Sequence, residues 1–512
     1  MPNDAERPES MSVTSTTAPQ AAAAAAPSRD PQDNIVVTRH RVTIQGKQVA
    51  YTVTTGTMVL REETVGEGEQ AGKFEGVKPK AEVFFVAYAK DGVKDVSKRP
   101  ITFSFNGGPG SSSVWMHLGL FGPKRVELDD DGFPSRPPYR LVPNDASLLD
   151  LTDLVFIDPV STGYSRPVEG VKAKDFHNVD KDVESVGAFI RLYTSRYGRW
   201  GSPKFLAGES YGTTRAAGLA GHLQQRHGVY LNGLMLVSAI LDFGTARFGP
   251  GNDLPPLLFL PTYTATAYYH GRLSPELQAL PLKDVLAQVE AFLHDTYAPA
   301  LLRGDQLPED ERASVRRELA QLTGLSETYI DATDLRIDIF RFTKELLRDQ
   351  GRTVGRIDSR YTGVDRDAAG ERFEFDPSMA ATQGPYTATF NDYVRGELGF
   401  VSDLPYEILA NLYESWSYKD VENRYLNVAE TLRKAMSINP FLKVHVANGY
   451  YDLATPYYAT LHTFAHMGLT REARANVSMS FYEAGHMMYV HRPSLLALRE
   501  ALAEFIAEAV EG

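Results

Sequence analysis

Residues 205–214 read Phe-Leu-Ala-Gly-Glu-Ser-Tyr-Gly-Thr-Thr, and the order of residue types in this stretch decides the fold. The short apolar run Phe205 to Ala207 predicts a buried strand. Gly208 and Gly212 flank Ser210 in a G-x-S-x-G pattern, and the small-residue stretch Thr213 to His222 predicts a helix. Alone the pattern is weak, because average usage gives about 0.2 chance occurrences in a chain of this length. Set between a strand and a helix it becomes a sharp turn. The flanking glycines allow that turn to push a serine hydroxyl out at the carboxyl end of the strand.

Working outward, further apolar runs alternate with helical stretches at Ile101 to Phe105, Leu154 to Ile157, Leu234 to Val237, Lys443 to Ala447 and Ser478 to Tyr482. Such alternation predicts a largely parallel sheet with helices on both faces. Upstream, Val36 to Ile44 and Gln48 to Thr57 flank the turn residues Gly46 and Lys47 as a hairpin, and Glu82 to Tyr88 reads as another strand. These add an antiparallel N-terminal edge. The expected class is α/β, an α/β-hydrolase fold.

Between Phe243 and Asn439 the strand rhythm gives way to amphipathic helical patterns, as in Leu282 to His294, Glu309 to Leu322 and Leu335 to Leu347. That is too long for a loop and predicts a mostly helical cap inserted into the sheet domain. Gly351 to Gly384 is expected to be an irregular surface segment. The resulting organisation is a disordered Ala/Pro-rich tail over 1–34, core over 35–242, cap over 243–439 and core again over 440–512.

The 512 residues carry a net charge of −12, which leaves no basic surplus for a nucleic-acid partner. No apolar run approaches the length of a membrane span. The absence of cysteine rules out disulfides, thiolate catalysis and cysteine-bound zinc. It fits a reducing compartment. The N-terminus carries acidic residues, and the run Ala21 to Ala26 is short and followed by Pro27, so no signal peptide is expected. Cytoplasm is the default expectation and export the alternative.

A serine hydroxyl needs an imidazole base, itself oriented by a carboxylate. In this fold class the acid and then the base follow the nucleophile in the chain, each just after a strand. Asp452 follows Lys443 to Ala447, and His486 follows Ser478 to Tyr482. His462 and His466 lie four apart on an expected helix but have no third ligand nearby, so a packed or solvated face is the better reading and no metal is expected. His491 precedes Arg492 and Pro493, which read as the start of the last helix. Asn106-Gly-Gly-Pro-Gly-Ser-Ser-Ser follows the strand Ile101 to Phe105, where this fold supplies half of its oxyanion hole. The expected donors are the backbone N–H groups of Gly108 and Tyr211.

Asn106-Gly-Gly-Pro-Gly-Ser-Ser, Ile157-Asp-Pro-Val-Ser-Thr-Gly-Tyr-Ser, Gly208-Glu-Ser-Tyr-Gly and Ala484-Gly-His-Met together resemble the serine carboxypeptidase family, peptidase family S10. The chain reads as a bacterial-type member. The resemblance implies removal of residues from peptide C-termini with no cofactor, and it implies that Asn106 and Glu209 bind the terminal carboxylate. Glu209 must then hold a proton, because two adjacent carboxylates cannot both stay ionised, so mildly acidic pH is expected to favour peptidase activity. By ungapped alignment Trp115 and Met487 are expected to line the pocket of the leaving residue and to favour an apolar one.

The chain departs from the family at Ser104, usually tryptophan, at Ser111, usually cysteine, at Leu120, aligned with a glutamate, and at Tyr450, usually aspartate. These departures keep two other readings open: a serine esterase or acyltransferase, and a catalytically inert binding protein.

Overall fold

The computed structural model describes residues 30–66 and 68–511. Most of the expected tail, residues 1–29, lies outside the described residues. Its last part is pinned down: Asp33 Oδ1 accepts the Val59 N–H at 2.8 Å, and Asp30 pairs with Arg61.

The main sheet has ten strands among the described residues. Nine form a continuous path: β1 Asn34–Ile44, β2 Lys47–Val65, β3 Phe74–Lys90, β4 Ile101–Phe105, β5 Asp153–Ile157, β6 Lys204–Ser210, β7 Gly233–Ala239, β8 Lys443–Gly449 and β9 Val477–Tyr482. Their spatial order is β1-β2-β3-β5-β4-β6-β7-β8-β9, and the two-residue strand Arg166–Pro167 pairs with β3. Pairing is antiparallel from β1 to β5 and parallel from β5 onward. The β1–β2 hairpin turns at Gln45 and Gly46, both with positive φ. The fold is α/β with helices on both faces, as the alternation of apolar runs requires.

Side-chain alternation along the strands builds two cores. Phe205, Ala207, Met235 and Val237 face the helices Pro377–Gly396 and Arg492–Glu511. Leu206, Leu234 and Leu236 face Val179–Arg196, Tyr211–His227 and Ala429–Ile438. A strand buried on both faces reads as a continuous apolar run for this reason.

Between β7 and β8 the chain is mostly helical, with Leu254–Tyr269, Leu282–Phe292, Glu309–Thr323 and Ile339–Glu345 around a core of their own that includes Phe259, Val289, Leu319 and Phe342. The helical pattern expected from Leu335 shortens to Ile339–Glu345. Asp334 and Leu335 have positive φ, and Asp338 caps the helix by accepting from the Phe340 N–H. The segment expected to be irregular surface is half wrong. Thr353 to Gly355 and Asp358 to Tyr361 are buried, and Pro377 begins a 20-residue helix.

Candidate active site

Ser210 ends β6 and caps the helix Tyr211–His227 with φ 59° and ψ −130°, a left-handed conformation that costs a non-glycine residue roughly 1–3 kcal/mol. The surrounding glycines leave no choice. A Cβ on Gly208 would lie 2.2 Å from the Gly212 carbonyl oxygen, and one on Gly107 would lie 2.4 Å from the Tyr211 nitrogen. The loop after β4 therefore packs directly on the turn. Buried Arg215 locks the two together: its Nε donates to Asp182 Oδ2 at 2.8 Å and its Nη1 to the Asn106 carbonyl at 2.6 Å. Its guanidinium also lies 5.3 Å from the ring centroids of both Phe105 and Tyr211.

The structure brings Asp452 and His486 together, with His486 Nδ1 2.7 Å from Asp452 Oδ2. Asp452 is wholly buried and fully engaged. Its Oδ1 accepts the N–H groups of Ala454 and Thr455 at 2.8 and 3.0 Å, and its Oδ2 accepts the Thr455 hydroxyl at 2.7 Å. Burial pulls the His486 pKa down, but the neighbouring Asp452 charge and hydrogen bond, with the charge of Glu209, outweigh it and leave the imidazole more basic than usual. The Ser210 hydroxyl has no hydrogen-bond partner among the described residues and lines the same cavity as His486.

The loop bearing the imidazole is held from the helical insertion. The His486 N–H donates to the Ile357 carbonyl at 2.7 Å and the Gly485 N–H to Asp358 Oδ2 at 3.1 Å. A Cβ on Gly485 would strike the Asp358 side chain at 2.4 Å. Asp358 is itself clamped by buried Arg360.

Glu209 and Asn106 stand side by side in the cavity wall. Burial raises the Glu209 pKa to about 7, against the opposing pull of a His486 cation and of the hydrogen bond from Tyr489. Tyr489 Oη donates to Glu209 Oε2 at 2.5 Å. Gly119 makes room for that ring, since a Cβ there would lie 2.4 Å from it. Asn106 Oδ1 accepts the Met116 N–H at 3.2 Å, whereas its Nδ2 is buried without a partner. Gly108 is exposed to the cavity with φ 103°, and its N–H meets no backbone acceptor among the described residues. Tyr211, as the first helical residue, likewise has an N–H with no intrahelical acceptor.

The cavity holds about 1110 Å³, and every residue expected at the site lines it except Asp452, which lies behind His486. Trp115 and Met487 form part of the wall; Trp115 donates to Ser111 Oγ at 2.9 Å and packs on Tyr386. Ser104 and Leu120 are buried away from it. His491 bonds to Ser494 at the start of the last helix, and no group of three metal-ligating side chains exists among the described residues. Sequence reasoning missed Thr455, Tyr489, Arg215, Asp182 and Asp358. Only Thr455 left a signal, as the third residue after an aspartate in a self-capping turn.

A family model described as Serine carboxypeptidase matches residues 63–280. Over that stretch the chain is similar to the serine carboxypeptidase family. Over 150 residues it is 32% identical to a pheromone-processing carboxypeptidase of Yarrowia lipolytica, a match covering 29% of this chain and 23% of that protein's length. Among solved structures, a prohormone-processing carboxypeptidase of Saccharomyces cerevisiae superposes with a TM-score of 0.55 at 16% identity, over 89% of this chain and 91% of that one. At that identity the likeness is one of fold. Both relatives are yeast proteins, which overturns the expectation of a bacterial-type member. That expectation had no residue of its own behind it. No described helix is long and apolar enough to cross a membrane.

Proposed function

We propose that this protein is a serine carboxypeptidase that cleaves the last peptide bond of its substrate through Ser210, His486 and Asp452. One observation carries the reading: Glu209, a buried carboxyl whose pKa is raised to about 7, adjoins the unpartnered amide of Asn106 in the same wall as Ser210. A protonated carboxyl and an amide N–H₂ are two donors that suit a terminal carboxylate.

With the carboxylate held there, His486 Nε2 takes the Ser210 hydroxyl proton as Oγ bonds to the last carbonyl carbon. The oxyanion accepts from the N–H groups of Gly108 and Tyr211. The C–N bond breaks, the proton passes to the departing amine, and water repeats the sequence to free the acyl group. No step calls for a metal or organic cofactor. Proton coupling favours mildly acidic pH. When Glu209 is neutral it no longer raises the His486 pKa, so the base stays available at a pH where the carboxylate site is also loaded.

Blocked dipeptides offered as free acid and as amide test this. The acid should be strongly preferred below pH 7, and the preference should fade above it as Glu209 ionises. Equal turnover of both at every pH would sink the assignment. A serine esterase or acyltransferase is the second reading, favoured by the apolar Leu120 where the family has a glutamate. It predicts ester turnover without that acid preference.

A further inference from the structure

The cavity wall carries three arginines, Arg247, Arg356 and Arg424, and its single carboxyl among the described residues is Glu209. This inverts the balance of a chain with 53 Lys and Arg against 65 Asp and Glu. None of the three guanidinium groups stands in a salt bridge among the described residues. The acids closest to Arg356 are occupied: Asp376 caps the N–H groups of Arg356, Ile357 and Ser378, and Asp452 serves His486. Asp242, near Arg247 in the chain, bonds to the Gly244 N–H and to Asn427. Burial lowers the Arg356 pKa, Asp376 and Asp452 oppose this, and the charge of Arg247 lowers it again. Cations without a carboxylate partner give the cavity a positive field that favours an anionic ligand.

The arginines also have a place relative to the reaction. Trp115 and Met487 belong to the core on one face of the sheet, together with Tyr489, the partner of Glu209. Tyr211 and Phe243 belong to the opposite core. Arg247 lies 5.3 Å over the Phe243 ring, and Arg424 directly precedes Tyr425 and Leu426, which line the same end. If the terminal carboxylate sits at Asn106 and Glu209, the peptide upstream of the cleaved bond runs toward these cations. The exposed rings of Tyr413, Tyr418 and Tyr425 flank that path and offer flat surface to an extended chain.

We propose that Arg247 and Arg424 are specificity determinants that select peptides with aspartate or glutamate upstream of the cleaved bond. This rests on the carboxypeptidase reading only for the direction in which the peptide lies.

Acetylated pentapeptides ending in leucine, with glutamate, glutamine or lysine at one of the three positions before it, provide the test. kcat/KM should fall in the order glutamate, glutamine, lysine, with glutamate about fivefold above glutamine at low salt and the gap closing at high salt. The gap should lie in KM. Because Arg247 and Arg424 are exposed, R247Q/R424Q will fold, and it should bring the glutamate-to-glutamine ratio near one, while R247K/R424K should restore most of it. Equal turnover of the glutamate and glutamine peptides by wild type would overturn the inference.

Binding of the same peptides, fluorescently labelled, to S210A separates this from the reaction itself. Peptides left uncut by wild type would count against the carboxypeptidase reading. Tighter glutamate binding by S210A would still support the arginines' role, and equal binding would refute it.

Discussion

The sheet domain and the helical insertion both wall the cavity, but with different kinds of residue. The sheet domain contributes Ser210, His486, Glu209, Asn106 and the free N–H groups, each set at a strand end by glycine contacts and buried hydrogen bonds. The insertion contributes all three arginines together with exposed tyrosines. Strand ends fix position to fractions of an ångström, which bond-making needs. Loops of an insertion tolerate change, and charge attraction acts over longer range. On the proposed reading, the sheet domain carries the chemistry and the recognition of the terminal residue, and the insertion carries the recognition of residues upstream.

The strongest attempt to break this division is S210A, which should lower kcat by about 10⁶-fold for every substrate alike, measured as single-turnover peptide cleavage. Asp452→Asn should cost about 10⁴-fold by leaving His486 in the wrong tautomer, again without changing the order of substrate preference. A changed order in either variant would mean that the triad residues themselves also select.

Glu209→Gln has a subtler signature. Glu209 takes up its proton at about pH 7 when folded and near 4.5 when exposed, so the native state holds more protons between those values and loses stability as pH rises through them. The glutamine variant escapes this loss. Its Tm should overtake that of wild type progressively from pH 5 to pH 8, while its preference for free acid over amide substrates weakens and no longer varies with pH. A Tm difference independent of pH would show that Glu209 titrates normally. The smallest effect belongs to the insertion: R247Q/R424Q should change substrate ratios by about fivefold and leave Tm within a degree or two.

Much of this was legible in the sequence because its signals are local. Doubly buried strands leave apolar runs, an elbow needs Gly208 and Gly212, and the acid and base must follow strands. What was not legible depends on pairing across the chain. Tyr489 and Glu209 lie 280 positions apart, and the Arg215 guanidinium reaches the Asn106 carbonyl from 109 residues away. Nothing near Tyr489 marks it as the donor to a carboxyl. The stretch from Gly351 to Gly384 misled for a related reason. Its Gly, Asp and Arg look like surface composition, yet Asp358 and Arg360 pair with each other inside the protein.

That buried pair bears on how such a molecule can diversify. Ile357 and Asp358 belong to the insertion, yet they carry the backbone on which His486 stands. Exchanging the insertion wholesale for a relative's would therefore remove the support of the base along with the old selectivity. New preferences are reached more readily by single replacements at the outer wall, and Arg247 and Arg424 are positions where evolution or an engineer can make them without disturbing the catalytic apparatus.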